Sequence, residues 1–283
     1  MENAIRNPLV KYFRQPSIYL KLPSNGQYWK EGAVSLPVTG EIPVYPMTAR
    51  DEVTLRTPDA LMNGAGVVDV IHSCCPNITD AWSMPSVDVD AVLIAIRIAS
   101  YGAEMPVDTS CPHCGAENTH NVDLSVRLSG ITCPDYNKKI SLPDELHVKC
   151  VPQAYFSVNR KNTISFEEQR LVQALEQTDE NSEQRMSQIA DSMTRLIQIS
   201  IDTVTDSTEY IEMPDGVRVT DKEFIKEFYS NANGSIVRNV QEQLAEINNQ
   251  GAVKDQLAEC NECKTEYKIP IMFDYANFFA IGS

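Results

Sequence analysis

The longest clean apolar run in the chain, Val92 to Ile96, is broken by Arg97 and lies inside AVLIAIRIASYG, a segment apolar on nearly every side that stops at Gly102. A helix without a polar face has to be buried. The segment therefore predicts the centre of an N-terminal core, with Asp88 as its N-cap. Upstream, residues 1–46 scatter Pro and Gly among two short β-type runs, Ile18 to Leu22 and Ile42 to Tyr45, joined at Ser24-Asn25-Gly26. That is the pattern of an extended arm with a small sheet. MTARDEVTLRTPDALMNG follows, with Thr48 and Asp51 at capping-box spacing, Pro58 as a first-turn proline and Asn63-Gly64 as a stop.

Beyond residue 125 the pattern changes twice. VRL, KKISL and LHVKCV, within residues 125–160, alternate or run apolar between turns and predict a small β layer. Ser165 and Glu168 then repeat the capping-box spacing before Phe166, Leu171, Val172 and Leu175, and TDENSEQ interrupts that helix. A second helix carries Met186, Ile189, Met193, Leu196, Ile197 and Ser200 at three- and four-residue intervals on one side. YIEMPDGVRV predicts a hairpin, Thr220 and Glu223 a capped aromatic helix, and Ile236, Val240, Leu244 and Ile247 a last helix ending before Gly251.

Chemistry enters with the cysteines. Cys111 and Cys114 in CPHCGAENTHNVDL match Cys260 and Cys263 in CNECKTEYKIPIMF, with 145 residues between the pairs. Each pair has Glu three residues after its second Cys (Glu117, Glu266) and apolar side chains at eight and ten (Val122 and Leu124, Ile271 and Phe273). Two knuckles, each leading into a strand, predict one tetrahedral site with all four thiolates as ligands. Since such pairs ordinarily sit about 15–20 residues apart, the ribbon must be split by an insertion. The bland alternative is reduced cysteines in two unrelated turns. The fold class expected is α+β, mainly helical with small β elements and a split zinc ribbon formed by two CxxC knuckles. Its parts would be an N-terminal arm (1–46), a helical core (47–105), the ribbon (106–124 with 259–283) and an inserted β layer and helical subdomain (125–258).

A closed shell of four thiolates quenches Lewis acidity, so the expected cofactor is one structural Zn2+ per chain, not a catalytic ion. Such a metal contributes about 10–16 kcal/mol of apparent free energy. His113 and His120 are near enough in sequence to substitute as ligands. Cys74, Cys75, Cys133 and Cys150 lack chelate spacing, and Cys150, alternating with Val148, reads as a buried small hydrophobe. No HExxH, GxSxG or Walker-type loop is present, and His72 and His147 have no partner at a triad-like spacing. Asp88 and Asp90 read as a cap and its neighbour, not as a carboxylate dyad. No enzymatic function is expected.

The charge sharpens this. With 24 basic and 39 acidic residues the net charge is −15, and no basic run exceeds two residues. Phosphate contacts need clustered Lys and Arg, so nucleic acid is not an expected partner. No run approaches the roughly 20 apolar residues of a membrane span, and no signal-peptide pattern is seen. The expected compartment is a reducing cytoplasm. The closing MFDYANFFAIGS places Phe273, Tyr275, Phe278 and Phe279 in a segment that either covers the chain's own core or anchors a partner.

IYLKLPSNGQYW, MTARDEVTLRTPDALMNG, LHVKCVPQAYF and FDYANFF, in that order along most of the chain, together resemble the T4-type phage base plate protein family. The resemblance implies a baseplate hub subunit or hub-assembly factor of a contractile-tailed phage, made in the host cytoplasm and located in the virion tail. It implies protein partners, namely other hub and tail proteins including the tape measure protein, and no catalytic residues. A homo-oligomer fits the same picture. The rival readings are a zinc-ribbon nucleic-acid-binding module and a tail assembly chaperone absent from the mature particle.

Overall fold

The computed structural model describes residues 7–57, 64–176, 183–253, 256–269 and 278–279. It is an α+β protein in which helices dominate and the strands form small antiparallel sheets. No described helix is long and apolar enough to cross a membrane.

The first core is built around the predicted apolar helix, α3 (Ser86–Tyr101), which is buried on most of its surface. Two shorter helices, α1 (Ala49–Leu55) and α2 (Ala65–Cys74), pack with it, as do strands β1 (Ile18–Lys21) and β2 (Glu41–Val44). The Thr48 and Asp51 capping box is present in full at the start of α1. The expected Pro58 helix and its Asn63 stop lie outside the described residues.

Two local expectations gave way here to tertiary contacts. The link between β1 and β2 is not a tight turn at Ser24-Asn25-Gly26 but runs over residues 22–40. Asp88, expected as the N-cap of α3, instead sits inside the first helical turn. Its carboxylate accepts hydrogen bonds from the Ser24 N–H (2.8 Å), the Ser24 hydroxyl (2.5 Å) and the Trp29 indole N–H (2.8 Å). The N-terminal arm is thereby tied to the root of the central helix. Burial pushes the Asp88 carboxyl up, against the three donors that pull it down.

After α3 the chain forms a hairpin, β3 (Glu104–Ser110) and β4 (Glu117–Asp123), paired in register from Glu104↔Asp123 to Ser110↔Glu117. VRL then falls in α4 (Leu124–Gly130), not in a β layer. Asp123 explains the difference, because its carboxylate accepts from the Ser125 and Val126 N–H groups and caps a helix there. The rest of the β layer holds: β5 (Ile140–Ser141), β6 (His147–Cys150), β7 (Thr208–Glu212) and β8 (Arg218–Val219) make a four-stranded antiparallel sheet in that order. The expected YIEMPDGVRV hairpin is β7 and β8.

Between β6 and β7 stand two long helices, α5 (Tyr155–Glu176) and α6 (Glu183–Ser207). α5 starts ten residues before the Ser165 cap predicted for it, and Ser165 lies in its interior. Glu168 binds Arg195 of α6 at 2.5 Å instead of closing a capping box. Helices α7 (Lys222–Asn231) and α8 (Gly234–Gly251) complete the insertion, and Asp221 caps α7 where Thr220 was expected. A second core joins the sheet, the root of α6, α7 and α8 through Val148, Cys150, Val204, Ile225, Tyr229 and Val240. A last hairpin, β9 (Gln256–Glu259) and β10 (Glu266–Ile269), returns to β3 and β4.

Candidate metal centre

The two CxxC turns close with the same local bonds, which is why the same spacing recurs in the sequence. In the first, the Cys111 N–H donates to the Ala116 carbonyl (2.8 Å) and the Gly115 N–H to the Cys111 carbonyl (2.9 Å). In the second, the Cys260 N–H donates to the Thr265 carbonyl (3.0 Å) and the Lys264 N–H to the Cys260 carbonyl (3.0 Å). The residue after each second cysteine is left-handed, Gly115 at φ +74° and Lys264 at φ +60°. Glycine adopts that conformation without cost, whereas lysine does so against a steric penalty.

The hairpins bring the four sulfurs to within 4.8 Å of one another. Cys111 Sγ lies 3.8 Å from Cys263 Sγ, and Cys114 Sγ 3.6 Å from Cys260 Sγ. Both separations far exceed the roughly 2.05 Å of a disulfide. They match the edge of about 3.8 Å that a tetrahedron with metal–sulfur bonds of about 2.3 Å requires. Cys111 and Cys260 are buried, Cys263 is half-buried and Cys114 is exposed.

Hydrogen bonding prepares the second knuckle to carry charge. The backbone N–H of Cys263, helped by that of Glu262 and by the Asn118 amide, brings the Cys260 thiol down to about 6. The Thr265 hydroxyl and N–H lower Cys263. At Cys114 the Ala116 N–H pulls down, but the crowding thiols of Cys263, Cys260 and Cys111 push the group up to about 12. Four sulfurs this close cannot all ionise unless a cation neutralises them. The donor set, its spacing and its electrostatics therefore fit a thiophilic divalent metal, with Cys111, Cys114, Cys260 and Cys263 as its holders.

The histidines do not compete. His113 is exposed, and His120 Nε2 lies 2.8 Å from the Tyr267 hydroxyl. That hydroxyl also meets Thr109 Oγ1 at 2.7 Å, so Tyr267 of β10 is pinned to both strands of the first hairpin. Asn118 makes the other cross-link. It is buried, donates to the Ala116 carbonyl (2.9 Å) and to Cys260 Sγ (3.6 Å), and accepts from the Asn261 N–H (2.8 Å). Neither role was read from the sequence. The strand period held the signal, because an inward Val122 places His120 and Asn118 on the same face of β4.

Three of the other four cysteines are built into cores, while Cys133 is half-buried. Cys74, Cys75 and Cys150 are fully buried, and burial pushes Cys74 up to about 12 and Cys150 up to about 11. Thiols held protonated in this way are poor nucleophiles. Of the aromatic segment, Phe278 and Phe279 are buried in the first core, with the Arg97 guanidinium 5.4 Å from the Phe278 ring centre. Those two rings fill the chain's own interior. Phe273 and Tyr275 lie outside the described residues.

A cavity of about 280 Å³ separates the first core from the insertion, lined among others by Ser86, Asp90, Thr132, Lys161 and Asn248. Burial alone raises Asp90 to about 6 and lowers Lys161. The cavity has no thiol or histidine among its described lining residues.

In comparison with known proteins, the family model described as T4 bacteriophage base plate protein matches residues 15–280. No curated protein and no solved structure matches the chain.

Proposed function

Because this chain belongs to the T4 bacteriophage base plate protein family, we propose that it is a non-enzymatic structural or assembly protein of the baseplate hub of a contractile-tailed phage. The observation that carries the reading is the family match across nearly the whole chain. The partners proposed are other hub and tail proteins, the tape measure protein among them. The protein would be made in the host cytoplasm and reside in the virion tail baseplate.

Within that role the four cysteines act as a clasp. Bound there, Zn2+ would supply a structural cross-link and no reaction chemistry, because four thiolates leave it no open position. The chain's own residues do the rest. Asn118 and Tyr267 align the two hairpins, and Phe278 and Phe279 are buried in the first core. With those two rings taken up internally, we assign the partner-facing role in the aromatic segment to Phe273 and Tyr275. Nucleic acid is disfavoured by the carboxylates around the clasp, Glu117, Glu259, Glu262 and Glu266.

Crosslinking mass spectrometry on purified tails, with a gene-deletion control, tests the reading. We expect crosslinks to hub components and no assembly without the gene. Normal tails from the deletion would overturn both the structural and the assembly forms. A requirement for assembly combined with absence from finished tails would leave the chaperone form and remove the structural one.

A further inference from the structure

We infer that the cavity between the first core and the insertion binds a small zwitterion of the amino-acid class, with its ammonium held at Asp90 and its carboxylate at Lys161. The inference rests neither on the metal site nor on the baseplate reading.

The walls come from segments far apart in sequence and are fixed by their own bonds. Asp90 stands near the start of α3 and Lys161 in α5, while Thr132 follows α4 and Asn248 lies in α8. The Ser86 N–H donates to the Gln153 carbonyl (2.8 Å) and the Tyr155 N–H to the Met84 carbonyl (2.7 Å), which joins the root of α3 to the root of α5. Another wall forms where α8 ends against the loop that follows α4. A Cβ on Gly251 would stand 2.1 Å from the Thr132 carbonyl oxygen, so only glycine allows that approach.

Among the described lining residues, Asp90 and Lys161 are the only charged side chains. They form no ion pair with each other, and neither has a hydrogen-bond or ion-pair partner among the described residues. Burial acts on each with no neighbouring charge to help or oppose it. Asp88, two residues away, has three donors, and Glu212 has both Lys139 and Arg218. Opposite charges drawn partly out of water and left unpaired cost the fold free energy, and a guest that supplies both missing partners relieves that cost.

The neutral groups divide in the same way. Gln153 uses its NH2 on the Thr203 carbonyl (3.3 Å), which leaves its oxygen as an acceptor. Asn248 uses its oxygen to accept from the Tyr136 hydroxyl (2.6 Å), which leaves its NH2 as a donor. An ammonium is thus offered a carboxylate and an amide oxygen, and a carboxylate is offered an ammonium and an amide NH2. Val87, Ile131, Val158 and Val253 add apolar wall, which suits an aliphatic side chain. The volume of about 280 Å³ falls just below the roughly 300–1,000 Å³ of drug-sized sites, room for one amino acid and not for a nucleotide. Both charged residues are half-buried, so a guest reaches them from solvent.

Isothermal titration of the zinc-loaded full chain with alanine, valine, leucine, isoleucine and methionine tests this. At least one of the five should bind one-to-one with a Kd below about 1 mM. The amide of the tightest binder lacks the carboxylate and its N-acetyl form lacks the ammonium; each should bind at least about tenfold more weakly. In variants checked for fold by circular dichroism, Asp90→Asn and Lys161→Met should each weaken binding by a similar factor. Asp90→Asn should also erase the discrimination against the N-acetyl form while keeping that against the amide, a pattern that a mere change of cavity shape would not produce. The inference is overturned if none of the five saturates, if a blocked form binds as well as its parent, or if either folded variant binds like the wild type. Should a variant fail to fold, the blocked forms decide the matter on the wild type.

Discussion

The first core and the cysteine clasp both join segments far apart in sequence, by opposite means. The core around α3 draws apolar side chains from the arm, four other helices (α1, α2, α4 and α5), the β3–β4 hairpin and the aromatic segment. Among the described residues, the apolar cluster at the clasp has Cys111, Cys260, Tyr267 and Ile269 as its buried members. Closing a flexible loop of 145 residues costs about 4 kcal/mol beyond a constant. Burying Tyr267 and Ile269 returns about 1.5–3 kcal/mol each. Those quantities nearly cancel, so side-chain burial cannot hold the clasp shut with a margin. A metal contributing about 10–16 kcal/mol can. The core is therefore closed by area, and the clasp, on the reading proposed here, by coordination.

Metal removal should break that comparison most visibly. A chelator, or Cys260→Ser, should release about one zinc per chain and expose the amides of β9, β10 and the outer β3–β4 ladder to hydrogen exchange. The amides of α3 should stay protected. Equal loss of protection in α3 would mean that clasp and core form one cooperative unit. The converse experiment acts on the core. Ile94 is fully buried in α3, and Ile94→Ala should lower the urea-measured stability by about 2–5 kcal/mol. Zinc stoichiometry in folded protein should remain unchanged; a variant that sheds its metal while still folded would contradict the separation.

Legibility in the sequence followed the same division. The clasp could be read at a distance of 145 residues because each knuckle is closed by bonds within its own turn, and local bonds impose a fixed spacing. The α3 core was equally plain, since an all-apolar helix has one physical solution. What escaped was set across space. Asp88 has the right type for an N-cap, yet Ser24 and Trp29 claim its oxygens. Glu168 completes a capping-box spacing with Ser165, yet it pairs with Arg195 from the neighbouring helix. VRL is too short for its apolar pattern to separate strand from helix, and the Asp123 cap decided the matter. Asn118 belongs to this group as well, a polar residue whose partners come from the opposite knuckle.

Asn118 offers a sharper probe of the clasp than its ligands do. It spans the two knuckles without holding the metal, and groups of that kind typically alter affinity by about 10–100-fold. Asn118→Ala should lower zinc affinity by that factor, about 1.4–2.7 kcal/mol, in a competition titration against a chelator. The site should still bind one metal through four sulfurs. Unchanged affinity would reduce Asn118 to a packing residue.

The last expected effect concerns the two carboxylates of α3, Asp88 fully buried and Asp90 half-buried at a cavity wall. Three donors oppose the upward push at Asp88, whereas at Asp90 burial acts alone and lifts the group to about 6. A folded value above the ordinary carboxylate value of about 3.9 means that protonation favours the fold. The favourable contribution is fully present below about pH 4 and is lost as pH rises through about 6. At pH 7 the ionised carboxylate should therefore cost up to about 3 kcal/mol. Asp90→Asn should stabilise the protein by up to that amount at pH 7, and the gain should shrink toward zero as pH falls to about 4. Urea denaturation of both proteins across this range isolates the effect, because every other titrating group cancels in the difference. A gain that does not vary with pH would show that the carboxylate is solvated in the cavity it shares with Lys161, and that the first core tolerates charge at its edge as readily as the clasp does.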